Sequence, residues 1–389
     1  MNILYFHAAT VLEDEIVATL QGLGHQVRVL NVGGHVRVLS AGHLLEQLDA
    51  SRPHFVLTVN YQGFDRDGEV RRLLAGRGVP VASWELDHPL AMELLGLRPK
   101  PPGGELVQFV WDEGYVQELR EWGYERVEYL PLGVDLRGFD QPSPSRLPRH
   151  GAVFVGTSLR EFHEHLVRRL LGVDYRQHPV LAGILEEAYQ AHLRDTAIPL
   201  IDHLRELAAA GPRVFADDLG ARRFELFAEI HLSLRYRQDV VASIRDLEVF
   251  GDPGWREVVP AGRYRGRVNY GSELAELYRD SAVVLNATLP KNRWDINQRV
   301  FDVFAASSLV LTDRRRNLDR FFGPSEIPVY ARVEEAAGML RDLRADPERR
   351  LALIEAGRAR VLAEHGLDRR LAVLTRHMAE YLGISAGES

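Results

Sequence analysis

The chain has 389 residues, a formal net charge of −7 and no cysteine, with 46% hydrophobic and 26% charged residues. That length exceeds one ordinary core and suits two domains of roughly 150–200 residues each, and the apolar fraction excludes wholesale disorder. The missing cysteines exclude disulfides, Cys-ligated zinc, iron–sulfur clusters and a thiol nucleophile. The acidic balance argues against general nucleic-acid binding, which normally needs a basic footprint. Basic residues are almost all Arg, with Lys100 and Lys291 the two lysines, a bias that a coding preference explains.

Met1–Phe6 is apolar but lacks a basic flank, and Glu13, Asp14 and Glu15 follow at once. A strand running into a helix fits this start better than a signal peptide. No uncharged apolar run approaches the roughly 18–20 residues of a membrane span. The expectation is a soluble, cytoplasmic protein.

The first 135 residues alternate regularly. Strands are predicted at Asn2–Phe6, Gln26–Leu30, Phe55–Val59, Val79–Trp84, Gln108–Trp111 and Arg126–Leu130. Between them lie amphipathic stripes such as Ile16, Leu20 and Leu23, or Tyr115, Leu119 and Trp122, each closed by a glycine. Gly138–Gly151, GFDQPSPSRLPRHG, reads as an interdomain linker. Strand logic restarts at Ala152–Val155, and Arg160–Asp246 then keeps helical periodicity. Leu247–Phe250, Ala282–Asn286, Ser308–Thr312 and Ile327–Tyr330 read as buried strands, and two helices follow Pro347.

Short apolar strands between amphipathic helices indicate parallel, doubly wound sheets. The predicted fold is therefore α/β: two Rossmann-like domains facing a cleft, with a helical insertion in the second. The expected boundaries are 1–140, 151–365 with the insertion at about 160–246, and a C-terminal helix within 366–389 packing back on the first domain. Such sheets bind ligands at the carboxyl ends of their strands.

The first strand ends in Phe6-His7-Ala8-Ala9-Thr10 without a Gly-x-Gly-x-x-Gly turn, which argues against a nicotinamide or flavin enzyme. The sequence holds no Walker loop, His-Glu-x-x-His or Gly-x-Ser-x-Gly. Asp217-Asp218 reads as solvated surface, and Asp112 as an N-cap. In the second domain, Val155-Gly156-Thr157-Ser158 runs a strand into a glycine turn and a helix, a place where backbone N–H groups can meet phosphate. By itself the tripeptide reads better as an ordinary tight turn capped by Thr157 or Ser158. A later strand ends in Asn286, and the loop after it carries Lys291, Arg293 and Asp295. The helix that follows contains Arg299 and, on the same face, Asp302. Arg299 suits a diphosphate and Asp302 a ribose diol, against the plainer reading of a surface ion pair.

These segments carry a family resemblance. "YRDSAVVLNAT", "RVFDVFAASSLVLTD" and "ADPERRLALIEAGRARVLAEH", with "SWELDHP", "VWDEGYVQELREWG" and "YLPLGVD" in the first domain, resemble the spore maturation protein CgeB family of GT-B fold glycosyltransferases. The chain departs from that pattern in two places. Ala306-Ser307 stands where the family usually has Ala-Gly, and Asp302 where related enzymes carry Glu. The resemblance implies a nucleotide-diphosphate sugar donor on the C-terminal domain and an acceptor met by the N-terminal one. Gly156 and Thr157 would face the diphosphate, Val268 to Tyr270 would border the base, and Arg299 with Asp302 would hold phosphate and ribose. The scarcity of lysine adds Lys291 to the phosphate candidates.

Transfer would then be metal-independent, with no tightly bound cofactor, the leaving group being stabilised by Arg, Lys and a helix N-terminus. Asp87 is the first candidate base and His7 the second, both after strands of the first domain. The acceptor, a saccharide, protein or small molecule, is not legible. A GT-B sugar-nucleotide epimerase or hydrolase, or a non-catalytic binder of sugar nucleotide or glycan, are the alternatives. The insertion, with Arg235 and Arg237 near its end, is equally consistent with covering the donor cleft, binding acceptor or making a dimer contact.

Overall fold

The computed structural model describes residues 1–10, 12–33, 39–65, 67–94, 105–141 and 143–384. The chain divides into two compact units, Met1–Gly133 with Gly366–Ser389, and Val134–His365.

In the first unit, β1 (Asn2–His7), β2 (Gln26–Asn31), β3 (Phe55–Val59), β4 (Val81–Glu85), β5 (Leu106–Val110) and β6 (Val127–Tyr129) form a parallel sheet in the order β2-β1-β3-β4-β5-β6. The strands β3, β4 and β5 are buried on both faces, which is why they read as unbroken apolar runs. β2 is one of the two edge strands and leaves Val29 41% exposed. The helix Leu367–Leu382 packs on Glu13–Gly22. Its Arg370 Nε donates to the Leu132 carbonyl at 3.0 Å, and His377 meets Phe109 edge-on.

The second unit repeats the plan with β7 (His150–Val155), β8 (Leu247–Phe250), β9 (Tyr264–Gly266), β10 (Ser281–Leu285), β11 (Val310–Asp313) and β12 (Val329–Tyr330), ordered β12-β11-β10-β7-β8-β9. β9 has no counterpart among the predicted strands, because three residues with none fully buried leave no apolar run. Helices fill the stretch between β7 and β8: Arg160–His165 continuing as a π-helical turn, then Pro179–Arg194, Leu200–Ala210 and the long Asp218–Ser243. Asp217, exposed as expected, also caps that last helix through the Gly220 amide.

The proline-rich stretch does not behave as a free linker. The division falls earlier, after Gly133, and Gln141 donates from its amide to the Ala305 carbonyl at 3.2 Å. Arg358 pairs with Asp140, and the Arg350 guanidinium reaches the Ser145 carbonyl, so the second unit holds the segment down. Ser307 follows the helix Gln298–Ala305 and its cap residue Ala306 at φ +56°, the left-handed conformation that favours glycine. Its hydroxyl donates to the Gln141 carbonyl. At Gly357, a Cβ would stand 2.3 Å from the Phe304 ring, so only glycine lets the helix Pro347–Glu364 lie this close. No helix among the described residues is long and apolar enough to cross a membrane.

Candidate active site

In open parallel sheets, ligands bind outside the carboxyl ends of strands where the strand order reverses. In the second sheet this point lies between β7 and β10, because β7 leads on one side to β8 and the chain later returns to its other side as β10. Gly156 follows β7, and Asn286 follows β10. The buried Asn286 amide donates to Thr288 Oγ1 at 3.0 Å and Thr312 Oγ1 at 2.9 Å, which fixes its oxygen toward Asn297 and Arg299. Arg299 Nη1 donates to that oxygen at 2.5 Å. Asn286 thus aims a guanidinium carried by a different element, the helix Gln298–Ala305.

Arg299 lies over the face of Phe154, 5.3 Å from the ring centroid, and a Cβ on Gly156 would stand 2.9 Å from its Nη2. A side chain in place of Gly156 would therefore have to displace the Arg299 guanidinium. No carboxylate among the described residues pairs with this guanidinium, Asp302 three residues later included. The plain reading of the two as an i,i+3 ion pair fails.

The turn after β7 is braced from several sides. Trp255 Nε1 donates to the Gly156 carbonyl at 2.7 Å. Asp252, just past β8, accepts from the Ser158 amide at 2.5 Å and its hydroxyl at 2.7 Å. Burial opposes ionisation of Asp252, but those bonds and the Gly254 amide hold its carboxyl below the usual range. The Ser158 N–H, expected to be open to phosphate, thus already carries a carboxylate of the chain. Arg237 of the helix Asp218–Ser243 donates to the Thr157 carbonyl at 3.0 Å and to Thr157 Oγ1 at 3.3 Å. Its guanidinium is buried, has no carboxylate partner among the described residues, and leaves Nε without an acceptor. Burial, then the neighbouring Arg299 charge, pushes Arg237 down to about 9, which still leaves it protonated at neutral pH. Beside this turn opens a groove of about 660 Å³ whose lining mixes charges, with Arg160, Arg168 and Arg267 beside Glu161, Glu164 and Asp252.

Asp302 is buried, accepting from Gln298 Nε2 at 2.9 Å and from the Tyr270 hydroxyl at 3.5 Å. Tyr270 also packs on Phe139 at 5.0 Å, and Val268 is half-buried two residues before it. Lys291 stands in the loop after β10 with its amide donating to Ser233 Oγ. Arg293 is set apart from the others. It is 2% exposed and paired through Nε and Nη2 with the fully buried Glu229, at 3.0 and 3.3 Å, so its charge is matched within the fold.

In the first unit, His7 ends β1 with Nε2 2.9 Å from Asp14 Oδ1. Asp87 is exposed beyond β4, where Asn60 beyond β3 donates to its carboxylate at 3.3 Å and accepts from its amide at 3.2 Å. Both candidate bases therefore stand at the carboxyl edge of the first sheet, His7 beside Asp14 and Asp87 beside Asn60. The same edge holds Glu13, fully buried, accepting from the Ala8 amide at 3.0 Å and the Thr10 amide at 2.6 Å. Asp112 caps the turn after β5 through the Gly114 amide, as expected.

With this geometry in hand, residues 205–376 match the family model described as Glycosyl transferase-like. The segment is similar to that family, and the fold, two parallel six-stranded sheets with flanking helices, is of the GT-B type. No curated protein matches the sequence. Among solved structures, sucrose-phosphate synthase from Thermosynechococcus elongatus is similar at 12% identity and TM-score 0.57, covering 98% of this chain and 99% of that one. The Anabaena protein HepE in complex with UDP-glucose is similar at 9% identity and TM-score 0.52, covering 98% and 99%. T4 phage BGT in complex with UDP and Mn2+ is similar at 11% identity and TM-score 0.55, covering 99% and 100%. At such identities the likeness is one of fold. Arg237, Asn286, Arg299 and Asp302 all lie inside the matched segment.

Sequence reasoning reached Gly156, Asn286 and Arg299 because each directly follows a strand or opens the next helix. It passed over Asp252 and Trp255 and could not place Arg237. Those residues meet the turn across 80 to 99 positions of chain, and no local spacing encodes such a contact.

Proposed function

We propose that the chain is a cytoplasmic, CgeB-like glycosyltransferase that moves a sugar from a nucleoside-diphosphate sugar, held at the switch point of the second sheet, to a saccharide, protein or small-molecule acceptor. One observation carries this reading: Arg299, half-buried at that switch point, is fixed by Asn286 and pairs with no carboxylate among the described residues. A diphosphate there would accept charge-assisted hydrogen bonds from the guanidinium in both ground state and product. As the bond from the sugar C1 to the β-phosphate oxygen breaks, the electron pair passes to the diphosphate, and a fixed cation stabilises it with little reorganisation. Guanidinium groups would then do the work a divalent ion does elsewhere, so EDTA should leave turnover unchanged.

The acceptor hydroxyl forms the new bond to C1 and loses its proton to a base of the first unit. Asp87 is the first choice and His7, oriented by Asp14, the second. Tyr270 and Val268 would border the base, and Asp302 would meet the ribose by exchanging its present bond to Gln298.

The test is to incubate the full chain with a panel of sugar-labelled nucleoside-diphosphate sugars and candidate acceptors. UDP-glucose comes first, as the ligand of a fold neighbour. The expected result is release of nucleoside diphosphate with the label retained on a second molecule. Asp87→Asn should bind donor as the parent does and lose transfer. Label found solely as free sugar would make the chain a hydrolase.

A further inference from the structure

Two arginines near the end of the helix Asp218–Ser243 are two residues apart, and positions so spaced point to nearly opposite sides of a helix. Arg235 faces the inserted helices, where its charge is matched. It pairs with Glu186 and Asp239 and lies 4.0 Å over the Tyr189 ring. Arg237 faces the sheet. It is 5% exposed, has no carboxylate partner among the described residues and leaves Nε unpaired. Taking a cation out of water without a counter-charge is among the most costly arrangements in a folded chain. Its carbonyl and hydroxyl partners on Thr157 offset part of that cost but not the charge.

The second guanidinium at the same phenyl ring is that of Arg299. The guanidinium carbons of Arg237 and Arg299 lie 5.8 and 5.3 Å from the Phe154 centroid, one from the insertion and one from the helix after β10. Two like charges gathered around one buried ring repel, and Asp252, the acid that acts on Arg237, is taken up by the Ser158 amide and hydroxyl. The two cations form a stable arrangement in the company of a polyvalent anion. The turn carrying Gly156 and Thr157 runs past both.

We propose that Arg237 is a second diphosphate-binding residue, and that the helical insertion is thereby part of the donor site. This deepens the functional reading above and rests on it. Arg299 and Arg237 hold the anion from two elements, while Gln238, whose Nε2 donates to the Ser158 carbonyl at 3.1 Å, only latches the insertion to the turn. Arg237 and Gln238 are sequence neighbours on the same turn of chain, which lets the charge be separated from the latch.

The experiment measures, by calorimetry on the full chain, the affinity of UDP, GDP, ADP, CDP and dTDP, and by competition that of the nucleoside belonging to the tightest one. Arg237→Gln should weaken the diphosphate at least tenfold and leave the nucleoside within about twofold, with Arg237→Lys in between. Gln238→Ala should leave the diphosphate within about twofold of the parent. If Arg237→Gln retains the parental diphosphate affinity while Arg299→Ala loses it, the proposal is overturned and the donor reading survives. Equal loss for nucleoside and diphosphate would make Arg237 a brace of the turn and also overturn it. If the parent binds none of the five diphosphates, the donor reading itself falls. Hydrogen exchange gives a measure independent of affinity: saturating diphosphate should slow exchange across residues 218–243 in the parent and not in Arg237→Gln.

Discussion

After β1, at the switch point of the first sheet, the amides of Ala8 and Thr10 point at Glu13, a buried carboxylate supplied by the next helix. After β7, at the switch point of the second sheet, Arg299 and Arg237 converge on Phe154 and neither pairs with a carboxylate among the described residues. The topology is shared, but the first sheet has filled the place of an anion with its own side chain and the second has left cations waiting for one. Fold alone therefore does not say which half of a two-sheet molecule takes a phosphorylated ligand; the charge balance at the strand ends does.

The contrast is sharpest between matched and unmatched arginines, and the largest effect should come from a matched one. Arg293→Ala strands Glu229 in the core and should cost about 3–5 kcal/mol in denaturant unfolding. Replacing the pair together with apolar residues should recover most of that loss. A measurable change in diphosphate affinity for the recovered double variant would break the division drawn here between Arg293 and Arg299.

Glu13→Gln tests the other side of the comparison. It weakens two charge-assisted bonds to turn amides and should lower stability by about 1–3 kcal/mol while leaving diphosphate affinity unchanged. Acid should destabilise the second unit by a comparable amount. His192 is fully buried, and burial, then the Arg315 charge, hold it down to about 3. An unfolded histidine titrates near 6.5, so the unfolded chain binds more protons between these values. Stability from this group is complete above about pH 6.5 and falls by about 2 kcal/mol between pH 7 and 5. A His192→Gln variant should show a flatter stability profile over that range.

The smallest effect concerns Ser307. Ser307→Gly relieves the left-handed backbone and Ser307→Ala does not, while both lose the hydrogen bond to Gln141. The glycine variant should be about 1 kcal/mol more stable than the alanine one. Equal melting temperatures would mean the positive φ costs nothing there.

Much of this architecture was legible in the sequence, because buried parallel strands announce themselves as apolar runs and their helices as stripes. β9 escaped because it is short and has no fully buried residue, and Gly138–Gly151 misled because prolines mark irregular backbone without saying whether it is packed. The site was half legible. Asn286 and Arg299 lie within one strand-loop-helix unit, so their positions follow from local pattern. Arg293 stands in the same unit and looked equivalent, since nothing near it in sequence betrays Glu229, 64 positions away. The role of Arg237 rests on a contact across 80 positions, which a sequence cannot show.

The central claim is that the second sheet presents unneutralised cations to a nucleoside diphosphate. Calorimetric titration of the full chain and of Arg299→Ala with the five common nucleoside diphosphates tests it most directly. The account predicts that at least one binds the parent and that Arg299→Ala loses about 3 kcal/mol, more than a hundredfold in Kd, with its fold intact by circular dichroism. A parent that binds none of them, or an Arg299→Ala variant that binds as tightly as the parent, would contradict it.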